Sequence, residues 1–231
     1  MRMGVPPMIK AVVMDVEGTT TDIQFVHKVL FPYARARMAD FVTNQAQEPA
    51  VAEALAAVSQ EAGLGADDIQ GQIAALIRWI DQDKKVTALK TLQGLIWRQG
   101  YQQGDFTGHL YPEVPAALGR WREQGLRLAV YSSGSVAAQQ LLFGYSDAGD
   151  LQGLFEANFD TRIGHKREEG SYHNIAKALA LPADQILFLS DIKEELAAAR
   201  QAGFATCQLV RPGTQAAEGY ALAHNFDEVT L

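Results

Sequence analysis

The 231-residue chain has one cysteine, Cys207. No internal disulfide and no cysteine-rich zinc site can be built from it. Its setting in the apolar run "ATCQLV" reads as a small buried hydrophobe rather than a reactive thiol. Basic residues are also few: 20 Lys and Arg stand against 27 Asp and Glu, a formal net charge of −7. No basic stripe offsets this, which excludes the electrostatic footprint of a nucleic-acid binder. No apolar run reaches membrane-spanning length, and "MRMGVPPMIK" lacks the long apolar segment of a signal peptide. These absences predict a soluble protein of a reducing compartment, the cytoplasm, with no nucleic-acid or membrane partner. No internal repeat, low-complexity tract or flexible linker is visible.

What the chain does have is apolar residues, 48% of the total, ample for a packed core. Short apolar runs end in polar or glycine-rich turns: "IKAVVMD" (9–15), "LRLAVYSSGS" (126–135), the weaker "LFEANFDT" (154–161), "QILFLSD" (185–191) and "FATCQLV" (204–210). Continuous runs of this kind suit strands buried on both faces of a parallel sheet. Helical patterns lie between them. "YPEVPAALGRWREQG" has Val114, Leu118 and Trp121 on one face and closes on Gly125, and "SVAAQQLLFGY", "SYHNIAKALAL" and "KEELAAARQAG" are further crossovers. Strand alternating with helix predicts an α/β fold, a doubly wound, Rossmann-like parallel sheet with right-handed connections.

One region breaks the alternation. Residues 22–110 contain no evident strand, and "FPYARARMADFVTNQ", "PAVAEALAAVSQEAG", "ADDIQGQIAALIRWIDQD" and "KKVTALKTLQGLIWRQGY" all read as helices. The stretch is too long for an ordinary crossover. It predicts an all-helical domain at 22–110, inserted into an α/β core formed by 1–21 and 111–231.

Ligands of open parallel sheets bind beyond the carboxyl ends of the strands. Taken in order, those ends carry Asp15 and Glu17, then Ser132 and Ser133, then Asp191, with Lys166 shortly after the third strand. An apolar strand running straight into two carboxylates needs a reason, because buried charge is costly unless paired or bound to metal. Asp15 suits a carboxylate nucleophile that attacks phosphorus. Asp15 and Asp191 can share one Mg²⁺, which favours few carboxylates together with waters and substrate oxygens. Ser132 and the N–H groups of "SSGS" can hold phosphate oxygens at a helix N-terminus, and Lys166 adds positive charge. Glu17, on the same side of an extended strand as Asp15, can move protons.

"DVEGT", "YSSGS", a downstream lysine and "FLSD" resemble the four motifs of the haloacid dehalogenase superfamily of aspartyl-phosphate phosphatases. "LFPYA", "LQGLIWRQGY", "GHLYPEV", "YSSGSVAAQQLLF", "GDLQGLF", "FDTRIGHKREEGSY" and "FLSDIKEEL" narrow the resemblance to the acireductone-forming enolase-phosphatase family of methionine salvage. That resemblance implies an enzyme that enolises 2,3-diketo-5-methylthiopentyl-1-phosphate and then dephosphorylates it to 1,2-dihydroxy-3-keto-5-methylthiopentene. It implies a helical cap, a monomer, and one Mg²⁺ per chain on Asp15, Asp191 and the backbone carbonyl of Glu17. It assigns substrate contacts to Ser132, Ser133 and Lys166. The superfamily generally has Asp where this chain has Glu17, so Glu17 serves either as the acid/base or in the enolisation. A further acid often follows the last metal aspartate; Glu194 and Glu195 are both available, and Glu195 fits a supporting place beside the metal ligands.

Each feature has a plainer reading. "DVE" could be a solvated strand end, "SSGS" a turn, "HKREEG" a charged loop and Asp191 a helix N-cap. Their joint placement at successive strand ends is what the plain readings leave unexplained. His27, His109, His165, His173 and His224 have no metal-ligand spacing, and His109 is a candidate for the seam between core and cap. Trp79, Trp97 and Trp121 read as packing residues, with Trp97 available to line a pocket for an apolar tail. The runner-up function is a small-molecule phosphatase of the same fold acting on a sugar or glycolate phosphate. A dehalogenase is disfavoured because it needs no metal pair, and a phospho-acceptor signalling module because it is compact and lacks a long insertion.

Overall fold

The computed structural model describes residues 8–231, and the chain divides into two compact units. One comprises residues up to Ile23 together with Gly108–Leu231; the other is Gln24–Thr107.

The first unit is built on a six-stranded sheet: β1 (Ala11–Met14), β2 (Arg127–Tyr131), β3 (Ala157–Phe159), β4 (Ile186–Ser190), β5 (Ala205–Leu209) and β6 (Ala221–Ala223). The order is β3-β2-β1-β4-β5-β6 and every pairing is parallel. β1 is central, with Ala11 facing Arg127 of β2 on one side and Ile186 of β4 on the other. All four of its residues are inaccessible to solvent. Its odd-numbered side chains, Ala11 and Val13, join Tyr131, Tyr172, Phe188 and Leu196 in one apolar cluster. Cys207 is buried within β5, and burial pushes its thiol up to about 11. The strand order reverses between β1 and β4, so their carboxyl ends flank the switch point where such sheets bind ligands.

β6 was not foreseen from the sequence. It is a three-residue edge strand with two exposed positions, so it lacks the burial on both faces that marks the central strands.

The second unit holds helices α1–α5. A short α1 (Ile23–Phe25, its first residue still in the first unit) continues through a π-helical turn (Val26–Leu30) into α2 (Phe31–Gln45). α3 (Pro49–Ala62), α4 (Ile69–Asp81) and α5 (Thr87–Gln103) follow. Met38, Val42, Val58, Leu76, Leu92 and Ile96 lie at the centre of its apolar core. Trp79 is buried there, while the half-buried Trp97 donates its indole N–H to the Leu30 carbonyl at 2.8 Å and stacks on Phe31. Gly63 and Gly104 end α3 and α5 with positive φ, as left-handed caps require.

Back in the first unit, α6 (Val114–Glu123), α7 (Val136–Gly144), α8 (Glu169–Leu179) and α9 (Lys193–Gln201) connect the strands. Among the described residues, no helix is long and apolar enough to cross a membrane.

Candidate active site

Asp15 is the first residue beyond β1, and its N–H still donates to the Leu189 carbonyl of β4 at 2.9 Å. The chain then turns sharply. The N–H groups of Thr19, Thr20 and Thr21 all point at the Val16 carbonyl, and Gly18 donates to the Thr21 carbonyl. These bonds leave the Glu17 carbonyl outside the turn's own network. Gly18 sits at φ +84°, and a β-carbon on it would lie 2.5 Å from Oδ2 of Asp191. Glycine is therefore needed twice, for the backbone conformation and for the close approach.

The turn brings the two aspartates to one hydroxyl. Oγ1 of Thr19 lies 3.3 Å from Oδ2 of Asp15 and 3.3 Å from Oδ1 of Asp191, and it accepts the Asp191 N–H at 3.1 Å. With a single proton it serves one carboxylate at a time, so the pair keeps an excess of negative charge. Burial first, and the Asp15 charge second, push Asp191 up to about 6.

Lys166 partly offsets that charge. It follows β3, is almost wholly buried, and pairs with Oδ1 of Asp15 and, at 2.7 Å, with Oε2 of Glu195. Its backbone is anchored by the Tyr172 hydroxyl, which donates to the Lys166 carbonyl at 2.6 Å. Burial alone would lower its pKa, but the charges of Asp15 and Glu195 outweigh it and hold the ammonium above its ordinary value. Glu195 also accepts the Ser190 hydroxyl at 2.9 Å; burial, then the Asp15 charge, push it up to about 7.

Ser132 is the first residue after β2, with its N–H on the Phe159 carbonyl of β3. Its hydroxyl donates to Oε2 of Glu17 at 2.9 Å and accepts the Gly134 N–H at 2.9 Å. Burial, then the charge of Asp15, raises Glu17 above its ordinary value. Ser133 is exposed in the same loop and makes no side-chain hydrogen bond among those described. Three side chains shape this loop from beneath. Gln139 donates to the carbonyls of Gly134 and Phe159, Ser135 caps α7 through the Ala138 N–H, and Asp160 accepts the Val136 N–H. The N-terminus of α7 thus opens beside Ser132 and Ser133, a setting that favours anions.

The structure therefore joins the buried Asp15 and Lys166, and through Thr19 the half-buried Asp191, into one cluster and ties Glu17 to Ser132, while Ser133 is exposed. A cleft of about 830 Å³ opens on Asp191, with Lys193, Gln215, Glu218 and Tyr220 among its lining residues. The sequence reading did not single out Thr19 or the ion pair between Lys166 and Glu195. Nor did it notice Arg211, which donates to the Thr19 carbonyl from beyond β5. Thr19 sits inside the motif and could have been noticed as its first hydroxyl. Nothing in the sequence marks Arg211. His109, a candidate for the seam between core and cap, stands beside the loop, its Nδ1 2.9 Å from the Thr21 hydroxyl and accepting the Asp22 N–H.

The residues present suit a hard divalent cation. Two carboxylates share one hydroxyl and are only partly neutralised by a lysine, and the Glu17 carbonyl is not engaged by the turn that carries it. Among the described residues no group of three or more His, Cys, Asp or Glu side chains is placed to hold a metal. A site of two carboxylates, one carbonyl and waters has no need of such a group.

Comparison with known proteins follows the same lines. The model of haloacid dehalogenase-like hydrolases matches residues 9–203. The chain is 58% identical over 224 residues to "Enolase-phosphatase E1" of Pectobacterium carotovorum subsp. carotovorum (strain PC1), covering 97% of this chain and 98% of that one. It is 52% identical over 222 residues to the protein of the same name from Methylococcus capsulatus, covering 96% and 98%. The crystal structure of the UTR4 protein of Saccharomyces cerevisiae matches with a TM-score of 0.83 at 32% identity, over 96% of this chain and all of that one. The L-2-haloacid dehalogenase RSc1362 matches with a TM-score of 0.57 at 22% identity, a likeness of fold alone.

Proposed function

The chain belongs to the haloacid dehalogenase-like hydrolase family, and from that premise we propose that it is the enolase-phosphatase of methionine salvage. On this reading it converts 2,3-diketo-5-methylthiopentyl-1-phosphate to 1,2-dihydroxy-3-keto-5-methylthiopentene, as a cytoplasmic monomer with one Mg²⁺ per chain. The supporting relatives are those named enolase-phosphatase at 52–58% identity over nearly the whole chain. The observation that carries the chemistry is the placing of Asp15 against Lys166, with Thr19 linking it to Asp191. The unit Gln24–Thr107 serves as the cap.

Asp15, Asp191 and the Glu17 carbonyl would hold the Mg²⁺. When bound, it supplies charge neutralisation at the phosphoryl group and polarises the substrate's keto oxygen. Asp15 attacks phosphorus, a P–O bond forms to its carboxylate, and the P–O bond to the enol breaks. Glu17, with its raised pKa and its place two residues on, gives a proton to the departing oxygen. It then takes one from the water that hydrolyses the aspartyl-phosphate to inorganic phosphate. Lys166 pairs with Asp15 and adds positive charge where the phosphoryl oxygens collect. Ser132, Ser133 and the N–H groups at the start of α7 hold those oxygens.

Absorbance assays with the diketo phosphate test the reading: an enol intermediate followed by acireductone is expected. Chelation should stop turnover and Mg²⁺ restore it. D15N should bind substrate but release no phosphate. Phosphate release from unrelated sugar esters only would favour the general phosphatase, and normal turnover by D15N would remove Asp15 as nucleophile.

A further inference from the structure

Arg211 is remote from the motifs, 192 residues from Thr19 in sequence, yet its guanidinium is buried against the nucleophile turn. Nε and Nη2 both donate to the Thr19 carbonyl, at 3.2 and 2.8 Å. Nη1 donates to the His224 carbonyl at 3.2 Å, and Nη2 also lies 2.7 Å from Oε1 of Glu113. The guanidinium plane covers the Tyr111 ring at 3.8 Å, and Tyr111 itself donates its N–H to the Thr20 carbonyl at 3.0 Å. Glu113 is fixed in turn by the Phe226 N–H. Every group named lies in the same unit as Asp15.

A buried guanidinium could be spent on a carboxylate alone. Here its fork closes on one backbone carbonyl in the only turn that carries the nucleophile. The side chain of that same residue, Thr19, stands between Asp15 and Asp191. The backbone of Thr19 is fixed by Arg211, and its hydroxyl spaces the two carboxylates. We propose that Arg211 is a positioning residue of the phosphoryl-transfer step, which sets the separation of Asp15 and Asp191 by clamping the Thr19 carbonyl. The inference rests on the reading of Asp15 as nucleophile.

A misplacement of about 1 Å at a reacting group can cost a hundredfold in rate without loss of binding. R211K keeps the charge opposite Glu113 but cannot span the carbonyl with two N–H groups; R211Q loses both. Steady-state kinetics on the diketo phosphate, thermal melting, and the ¹⁹F signal of the protein with Mg²⁺ and beryllium fluoride, a phosphoryl mimic for Asp15, are to be compared. We expect roughly tenfold loss of kcat in R211K and roughly a hundredfold in R211Q, with KM within about threefold of wild type and a weakened fluorine adduct in folded protein. R211K protein that melts as wild type and keeps its kcat, or loses only in KM, overturns the proposal. R211K decides the matter if R211Q aggregates. Failure of the premise shows separately, as a wild-type protein that forms no adduct or a D15N protein that turns over normally.

Discussion

The ammonium of Lys166 lies 2.7 Å from Oε2 of Glu195, and its other side rests on Asp15, so one buried cation serves two buried carboxylates. Removing one partner of such a cluster leaves uncompensated charge in a poorly solvated place, which costs about 3–5 kcal/mol. K166M should therefore lower unfolding free energy by about that amount in urea titrations and abolish turnover. E195Q keeps the shape and the Ser190 bond, so it should cost less stability while loosening Lys166. A K166M protein as stable as wild type would mean that the three charges carry no net weight in the fold.

The second prediction concerns pH in metal-free protein. Asp191 is held at about 6, above its ordinary 3.8, by burial and by the Asp15 charge. The folded chain thus binds this proton more tightly than the unfolded one. That contribution is complete below about pH 4 and is lost as pH rises through 6. Its full size is about 3 kcal/mol, reduced because Asp191 is half-buried and partly screened. With chelator present, D191N should be more stable than wild type at pH 8 and should match it near pH 4. Parallel unfolding curves for the two proteins across that range would remove the repulsion between Asp15 and Asp191.

The same residues show what the sequence could disclose. β1, β2, β4 and β5 were legible because strands buried on both faces are continuous apolar runs, and the residues that follow them are where such a sheet puts its chemistry. The four helices beginning at Phe31, Pro49, Ile69 and Thr87 were legible from proline at N1 or from an apolar face. The start of the first of these was not, because the helical path begins at Ile23 and passes through a π turn that has no periodic signature. β6 escaped because an exposed edge strand of three residues needs no apolar run. Arg211 escaped for a different reason: it acts on a backbone carbonyl, and a carbonyl is present at every residue, so no side-chain pattern announces the contact.

Glu17 offers a third test. Its carboxylate is raised by burial and by Asp15, and the Ser132 hydroxyl bond at 2.9 Å works the other way by favouring the ionised form. S132A removes that donor, so Glu17 should rise further. Whichever limb of the kcat–pH profile reports Glu17 should move toward higher pH, with KM also raised if Ser132 holds phosphate. An unmoved profile would show that Glu17 does not exchange protons in the rate-determining step.

Gly18 gives the sharpest geometric prediction. Its φ of +84° costs an L-residue about 1–2 kcal/mol, and a β-carbon there would meet Oδ2 and Cγ of Asp191 at 2.5 and 2.8 Å. The neighbour is a carboxylate on a short side chain. Its backbone is tied on both sides of the peptide, with its N–H on Thr19 and its carbonyl accepting from Gln208 at 2.9 Å. It has little freedom to yield except by rotating its oxygens away from Asp15. G18A should therefore weaken Mg²⁺ binding in calorimetry and lower kcat by roughly a hundredfold, a larger effect than its cost in stability. G18A protein that binds Mg²⁺ and turns over as wild type would show that the Asp191 carboxylate is not required where this turn places it.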